Sequence, residues 1–189
     1  CILQKDTKIG KIIGFYSVVF AAHTLLFFYS QQYFADFGYN KVQISVIMLL
    51  VGGASCLGAL ASEKMYRRFG KRCLIPETVI IAAAILCYGS GKAGVAAAAL
   101  MCAGFANAAL YPIQSDSLNA LIPSEQRATL ISVDSMCFSI AMIVLFPLAG
   151  ALADRWGLKT VLLLLGAILL LFLLTVFCIE KESFSSDHS

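Results

Sequence analysis

Five residues near the start of the sequence form an aromatic and polar stripe. They follow one another at steps of three or four residues, which places side chains on one face of a helix: Tyr16, Phe20, His23, Phe27 and Ser30. Aromatic rings stack on amphipathic molecules, and imidazole titrates near neutral pH. We therefore predict a cavity wall that binds a small molecule, with His23 as a candidate proton carrier. The alternative is ordinary aromatic packing, with His23 hydrogen-bonded to a neighbouring helix.

A second polar stripe lies in the apolar segment 93–115, where Asn107, Tyr111 and Gln114 share one helical face. Polar side chains are not expected to face lipid without hydrogen-bond partners. The stripe therefore contacts either substrate or another helix, and we favour substrate. Small residues precede it at steps of four and are expected to allow close helix packing: Gly94, Ala98, Cys102 and Ala106. Pro112 is expected to bend this helix.

Three carboxylates stand within or beside apolar segments. Asp134 lies two helical turns past Arg127, and we interpret it either as a proton carrier or as the partner of a basic loop residue. Glu77 follows Pro76 at the start of a segment, where the helix dipole stabilises an anion, so we expect a capping role. Asp116 ends the fourth apolar segment, where the simplest interpretation is a solvated charge.

The composition excludes an ordinary soluble domain. Of the 189 residues 60% are hydrophobic and 13% charged, against about a quarter charged in soluble proteins, and the mean hydropathy is +0.85. The net charge of +3 is not concentrated on one stretch, so we expect no nucleic-acid partner. Seven scattered cysteines without a CxxC spacing predict neither a disulfide framework nor a zinc site. Without a catalytic or phosphate-binding motif, we expect neither an enzyme nor a cofactor.

Six apolar windows are long enough to cross a bilayer core of about 30 Å, although the third is short. They are 12–34, 42–61, 73–89, 93–115, 128–153 and 160–179. The short links between them predict an all-α membrane protein of antiparallel helices. Residues 1–11 are expected to be a cytoplasmic linker whose start is a cut end without a signal peptide, and residues 180–189 a disordered cytoplasmic tail.

Basic residues predict the orientation in the membrane. Ten lie on the side that holds both ends and four on the other, and the side richer in basic residues is normally cytoplasmic. We therefore expect a multi-pass protein of the cell membrane with both ends in the cytoplasm.

A short motif occurs twice, at the ends of the second and fifth windows. The sequence Gly-Ala-Leu-Ala stands at 58–61 and again at 150–153, and each copy is followed by basic, aromatic and glycine residues. The copies are offset by three windows, an odd number, so the second copy is inverted in the membrane. We predict two inverted three-helix repeats, 12–89 and 93–179, a construction typical of secondary transporters.

These segments resemble the C-terminal six-helix half of a major facilitator superfamily transporter of the bacterial drug-efflux kind. The resemblance rests on GALASEKMYRRFGKR at 58–72, on the stretch from Tyr111-Pro112 to Ser132 and on PLAGALADRWG at 147–157. Ser62 and Glu63 depart from the stronger family motif, which has Asp there, and the N-terminal half has no counterpart. The resemblance implies that the first and fourth spans line a cavity, that the second and fifth pack against the other half and that the third and sixth face lipid.

The implied function is secondary active transport of a small molecule by alternating access, as proton-coupled efflux. The resemblance also implies an N-terminal six-helix half as partner and a set of gate charges at the cytoplasmic side: Asp116 paired with Arg67, Arg68 or Arg72, and Arg127 nearby. The alternative is a six-helix membrane scaffold without transport activity, which would have no need for polar residues converging from the first and fourth spans.

Overall fold

The computed structural model describes residues 7–70, 74–120 and 126–186, and within these ranges the chain is helical with no strand. Six α-helices and one 3-10 turn follow one another: α1 (Thr7–Asp36), α2 (Lys41–Phe69), α3 (Leu74–Cys87), the 3-10 turn (Tyr88–Ser90), α4 (Ala93–Asn119), α5 (Arg127–Trp156) and α6 (Leu158–Ser186). The all-α fold predicted from the apolar windows is confirmed.

Five of the helices are long and apolar enough to cross a membrane, namely α1, α2, α4, α5 and α6. The region of α3 is apolar but shorter, from Ile75 to Ser90. The sequence predicts this difference, since the third apolar window is the shortest of the six.

The helices extend beyond the apolar windows. Helix α2 runs on to Phe69, through residues that the sequence places in a charged loop. An ion pair of 3.7 Å between Arg67 and Glu63, one turn apart, supports this polar end. At its other end α2 starts with a capping box, in which Asn40 and Gln43 each bind the backbone N–H of the other at 2.9 Å. Hydropathy therefore delimits the lipid-compatible length of a helix and not its full length.

The connection between α5 and α6 is a single residue, Gly157. Its φ of +83° lies in the left-handed region that side chains with a Cβ rarely adopt. A glycine is therefore required for the chain to reverse direction within one residue.

Helices α1 and α4 form the centre of the bundle. The apolar windows of both are 44% buried, compared with 22% for α6, 11% for α2 and 6% for α5. The main hydrophobic cluster joins residues such as Leu26 of α1, Ile85 of α3 and Leu100 of α4, each fully buried. The two central helices are also those that carry the predicted polar stripes.

The most extensive helix pair is α2 with α4. Gly58 of α2 lies directly against the backbone carbonyl of Phe105, and a Cβ at Gly104 would lie 2.8 Å from the hydroxyl of Ser55. The resemblance implies that the second span packs against the other half of the transporter. At Gly58, however, α2 packs against α4 of the same chain.

The stripe of small residues expected on α4 is also shifted. Gly94, Ala98 and Cys102 are exposed, and of the four predicted residues only Ala106 is buried. The closely packed positions are instead Ala96, Ala99 and Ala103. Alanine is so frequent in this helix that small-residue spacing did not identify the packed face. Helix α4 continues without interruption through Pro112.

Candidate functional site

A cavity of about 340 Å³ lies between α1, α2 and α4. Helix α1 contributes one aromatic and two polar residues, α2 four small or apolar residues and α4 a single amide. The lining consists of His23, Thr24, Phe27, Met48, Val51, Gly52, Ser55 and Asn107. The volume is that of a typical small-molecule site.

Two polar atoms at this cavity are buried and have no hydrogen-bond partner, Nε2 of His23 and Oδ1 of Asn107. They belong to different helices, α1 and α4. Buried polar atoms are normally paired, so unpaired ones call for an explanation. A ligand that hydrogen-bonds to both atoms would supply it.

The other polar groups of the lining are already engaged. The hydroxyl of Thr24 donates to the carbonyl of Phe20 at 2.8 Å, and that of Ser55 donates to the carbonyl of Val51 at 2.9 Å. Both bonds stay within one helix and leave the hydroxyl oxygens as possible acceptors. None of the described residues that line the cavity carries a carboxylate, an ammonium or a guanidinium group.

The predicted α1 stripe is divided by the structure. His23 and Phe27 line the cavity, while Tyr16 is buried beside Phe15, with ring centroids 5.0 Å apart. Ser30 faces the protein interior, where its hydroxyl lies 2.6 Å from that of Tyr88. The stripe therefore has a cavity-facing middle and buried ends.

The two polar stripes meet beside the cavity. The rings of Phe20 and Tyr111 are 5.7 Å apart between centroids, and Tyr111 is 58% exposed. Neither residue lines the cavity. They form an aromatic pair that connects α1 to α4 next to it.

The remaining polar residue of the α4 stripe lies elsewhere. Gln114 is buried, and its amide lies beside the carboxyl group of half-buried Asp134 on α5. Neither amide atom of Gln114 has a hydrogen-bond partner, so the amide and the carboxyl group lie close together without forming a hydrogen bond. Gln114 and Asp134 therefore constitute a second polar location, separate from the cavity lining.

The predicted gate charges are not connected in this conformation. Arg67 pairs with Glu63, and the guanidinium of Arg68 lies 5.6 Å from the ring centroid of Phe69. Asp116 and Arg127 are exposed, and neither forms an ion pair within the described ranges. Arg72 lies outside the described residues.

The expected capping role of Glu77 is not supported by a hydrogen bond. The side chain is only 2% exposed, and neither carboxylate oxygen has a partner. The preceding residue is Pro76, which has no backbone N–H to offer. A carboxylate that binds no backbone N–H makes no hydrogen-bonded cap.

Sequence reasoning did not identify the contribution of α2 to the cavity. Met48, Val51, Gly52 and Ser55, with Thr24 of α1, were not among the candidates, since the resemblance assigns the cavity to the first and fourth spans. The steps from Met48 through Val51 and Gly52 to Ser55 are helical. The small residue Gly52 and the polar residue Ser55 on this stripe of an apolar helix are the signal that would have revealed it.

The comparisons with known proteins give one match. The family model described as Major Facilitator Superfamily matches residues 12–187. No curated protein and no solved structure matches the chain.

Proposed function

Since the chain belongs to the Major Facilitator Superfamily, an integral membrane family whose members transport small molecules, we propose that it moves its substrate through the cavity between α1, α2 and α4. The observation that carries this proposal is the pair of unpartnered atoms, His23 Nε2 and Asn107 Oδ1, at the wall of that cavity. A scaffold protein would have no need for unpaired polar atoms in two residues, from different helices, that line one cavity.

The lining favours an uncharged amphipathic substrate. Phe27, Met48 and Val51 offer apolar and aromatic contacts, and methionine adapts to varied shapes. Asn107 Oδ1 accepts a hydrogen bond, and Nε2 of His23 accepts or donates one according to its protonation. A substrate with an apolar part and hydrogen-bonding groups would match this lining. A permanently charged substrate would find no opposite charge in this lining.

We further propose that transport is coupled to protons and directed outward. His23 in the cavity and Asp134 beside Gln114 are the candidate coupling groups that the sequence suggested, and intramembrane ionisable residues are often functional. In the complete protein, replacing His23 with Gln should weaken the pH dependence of transport while retaining substrate binding. An unchanged pH profile with reduced affinity would assign His23 to the cavity wall alone.

The chain is proposed to be the C-terminal half of the transporter, with both ends in the cytoplasm. The low burial of α2 and α5 supports a second six-helix bundle that covers these two helices. Asp116, Arg67, Arg68, Arg72 and Arg127 are proposed to form their gate pairs in another conformation of the cycle, because Asp116 and Arg127 form no ion pair within the described ranges and Arg67 pairs with Glu63.

Alternating access is testable without knowledge of the substrate. The native cysteines are replaced by alanine and Ser55 by cysteine, and the complete protein is labelled with a membrane-impermeant maleimide in right-side-out and in inside-out vesicles. We expect Ser55→Cys to react from both faces, since the cavity opens to each in turn.

Ser45→Cys is the matched control. Ser45 lies on the same helix and, like Ser55, donates its hydroxyl to the carbonyl four residues earlier, at 2.9 Å. It is exposed near the start of α2, so Ser45→Cys should react from one face only. Labelling of Ser55→Cys from one face only would contradict alternating access and favour the scaffold interpretation.

A further inference from the structure

The carboxyl group of Glu77 is buried in the bundle without a partner. Its side chain is 2% exposed, and neither oxygen forms a hydrogen bond. Ile81, Ile85 and Tyr88 follow it at steps of three and four, and all three are fully buried. Glu77 therefore lies on the face of α3 that packs into the hydrophobic core, in line with residues of that core.

The level of Glu77 in the bundle follows from the helix register. A Cβ at Gly166 of α6 would lie 2.9 Å from Leu86 of α3, and the side chain of Leu163 lies against Gly89. The two helices are therefore antiparallel. Glu77 lies nine residues before Leu86, and Thr175 lies nine residues after Gly166, so Glu77 and Thr175 are at the same level. The apolar window of α6 continues past this level to residue 179, so the carboxyl group lies about one helical turn inside the apolar layer.

The described side chains of the neighbouring helices provide no opposite charge at Glu77. Helix α3 packs against α4, α6, the 3-10 turn and α1. None of the described ionisable side chains on these elements bonds to Glu77. They are Cys102, Tyr111 and Asp116 on α4, Lys159 at the far end of α6, Tyr88 in the turn, and Tyr16, His23, Tyr29, Tyr33 and Asp36 on α1.

An ionised carboxylate in such a place is strongly disfavoured, because it has lost its water without gaining a counter-charge or a donor from the described side chains. The neutral acid loses far less, so this packing favours the protonated form of Glu77. The proton can leave when water reaches the carboxyl group, which requires α3 to separate from α4 or α6.

We propose that Glu77 is a proton-binding site whose occupancy is linked to the conformation of the bundle. The carboxylic acid is stable in the packed state described above. When α3 moves and water enters, the O–H bond breaks, the proton passes to water and the carboxylate remains, solvated. The protonation of Glu77 is independent of the proposed function, whereas its coupling to transport rests on that function. The site lies outside the cavity lining and is distinct from His23 and Asp134.

The protonated state is tested by infrared spectroscopy on the 189-residue chain at neutral pH. A neutral carboxylic acid gives a carbonyl band separate from that of carboxylates, and the band shifts when the acidic hydrogen is exchanged for deuterium. The matched control is Glu63→Gln, because Glu63 is exposed and paired with Arg67. We expect Glu77→Gln to lose amplitude in this band and Glu63→Gln to retain it. Equal bands in the parent and in Glu77→Gln would overturn the proposal.

A second variant protects this test against a folding defect. Glu77→Met replaces the acid with an apolar side chain of similar length, which suits the core around Ile81 and Ile85. It should fold at least as well as the parent and lose the same band amplitude. A parent-like band in a folded Glu77→Met chain would also overturn the proposal.

The linkage to conformation is tested in the complete protein with Ser55→Cys. The measured quantity is the ratio of labelling from the two membrane faces, in which the pH dependence of the thiol itself cancels. We expect the ratio to change with pH and the change to be smaller with Glu77→Gln, which permanently mimics the neutral acid. Any pH dependence of the ratio that remains in Glu77→Gln is assigned to other groups such as His23. If the labelling ratio changes with pH as much in Glu77→Gln as in the parent, the linkage is wrong. Labelling from one face at every pH would contradict the proposed function instead.

Discussion

Buried polar residues of this bundle fall into two groups, those with partners and those without. Ser30, Tyr33 and Tyr88 satisfy one another, since the Tyr33 hydroxyl donates to the carbonyl of Tyr88 at 2.9 Å and the hydroxyls of Ser30 and Tyr88 lie 2.6 Å apart. His23 and Asn107, in contrast, each keep an unpaired atom beside the cavity. The first group stabilises the contact between α1 and the 3-10 turn, and the second is the group proposed to bind a ligand.

This difference predicts opposite effects on stability. Asn107→Leu removes an unpaired oxygen and keeps the volume, so the free energy of unfolding should stay within about 1 kcal/mol of the parent value or rise. Ser30→Ala leaves the buried hydroxyl of Tyr88 without its partner, which should cost about 1–3 kcal/mol. Unfolding of both variants in the same detergent measures the difference. A larger loss for Asn107→Leu than for Ser30→Ala would show that Asn107 is structural.

Two adjacent glycines allow a matched test of the cavity. Gly52 lines it, whereas Gly53 is exposed and does not, and a Cβ at either position would meet no atom within 4 Å. Leucine at either position is therefore tolerated equally by the helix. Gly52→Leu should fill the cavity and slow maleimide labelling of Ser55→Cys, while Gly53→Leu should leave the labelling rate unchanged. Equal rates in the two variants would mean that the reagent reaches Ser55 by another route.

At the scale of helices, the two copies of the Gly-Ala-Leu-Ala motif make comparable contacts. Gly58 of α2 packs against α4, and Gly150 of α5 packs against α1, where a Cβ would lie 3.0 Å from the hydroxyl of Tyr29. In each case the second helix of one predicted repeat meets the first helix of the other. We propose on this basis that the repeats are related by an axis in the membrane plane.

The two glycine contacts differ in what opposes an added methyl group. At Gly58 the neighbour is the backbone carbonyl of Phe105, which moves only with its helix, so Gly58→Ala should cost about 1–3 kcal/mol. At Gly150 the neighbour is the end of a side chain that can rotate, and alanine favours the helix by about 1 kcal/mol. Gly150→Ala should therefore be close to neutral.

Thermal unfolding in detergent compares the two variants, with Tyr29→Phe as a control for loss of the 3.0 Å bond to the carbonyl of Phe146. Destabilisation by Gly150→Ala equal to that by Gly58→Ala would contradict this account of the two interfaces.

The sequence predicts the helices better than the site, for a physical reason. Apolar length is a local property, so all six windows correspond to helices, although α2 continues eight residues past the end of its window. The cavity depends on how three helices are rotated against one another. Ser30 shares the spacing of His23 yet lies inside the protein, and Gln114 shares that of Asn107 yet lies beside Asp134. Only the packed structure distinguishes these pairs.

For the whole molecule, the exposed faces of α5 and α6 differ in chemistry. The face of α6 carries large apolar residues such as Ile168, Leu171 and Leu174. The face of α5 also exposes large apolar residues such as Ile140 and Ile143, but it adds Ser132, Ser135 and Ser139 at steps of three and four. The hydroxyls of Ser132 and Ser139 bind carbonyls of their own helix at 3.1 and 2.8 Å. Small residues suit close helix packing, whereas large aliphatic ones suit lipid. We therefore expect α5 to be covered by protein in the complete transporter.

Without that second bundle the cavity has no opposing wall, so the 189-residue chain alone should not transport. Substrate uptake or efflux by liposomes that contain only the monomeric chain would contradict this expectation.

The covering of α5 is measurable with brominated lipids, which quench tryptophan fluorescence on contact. Trp156 is replaced by phenylalanine, and tryptophan is introduced as Ser139→Trp on α5 or as Ile168→Trp on α6, where residue 168 is 63% exposed. In liposomes of the chain alone, both tryptophans should be quenched, because both faces meet lipid. In the complete protein, Ile168→Trp should stay quenched and Ser139→Trp should become protected. Strong quenching of Ser139→Trp in the complete protein would place α5 against lipid, and the second bundle would then have to cover α2 alone.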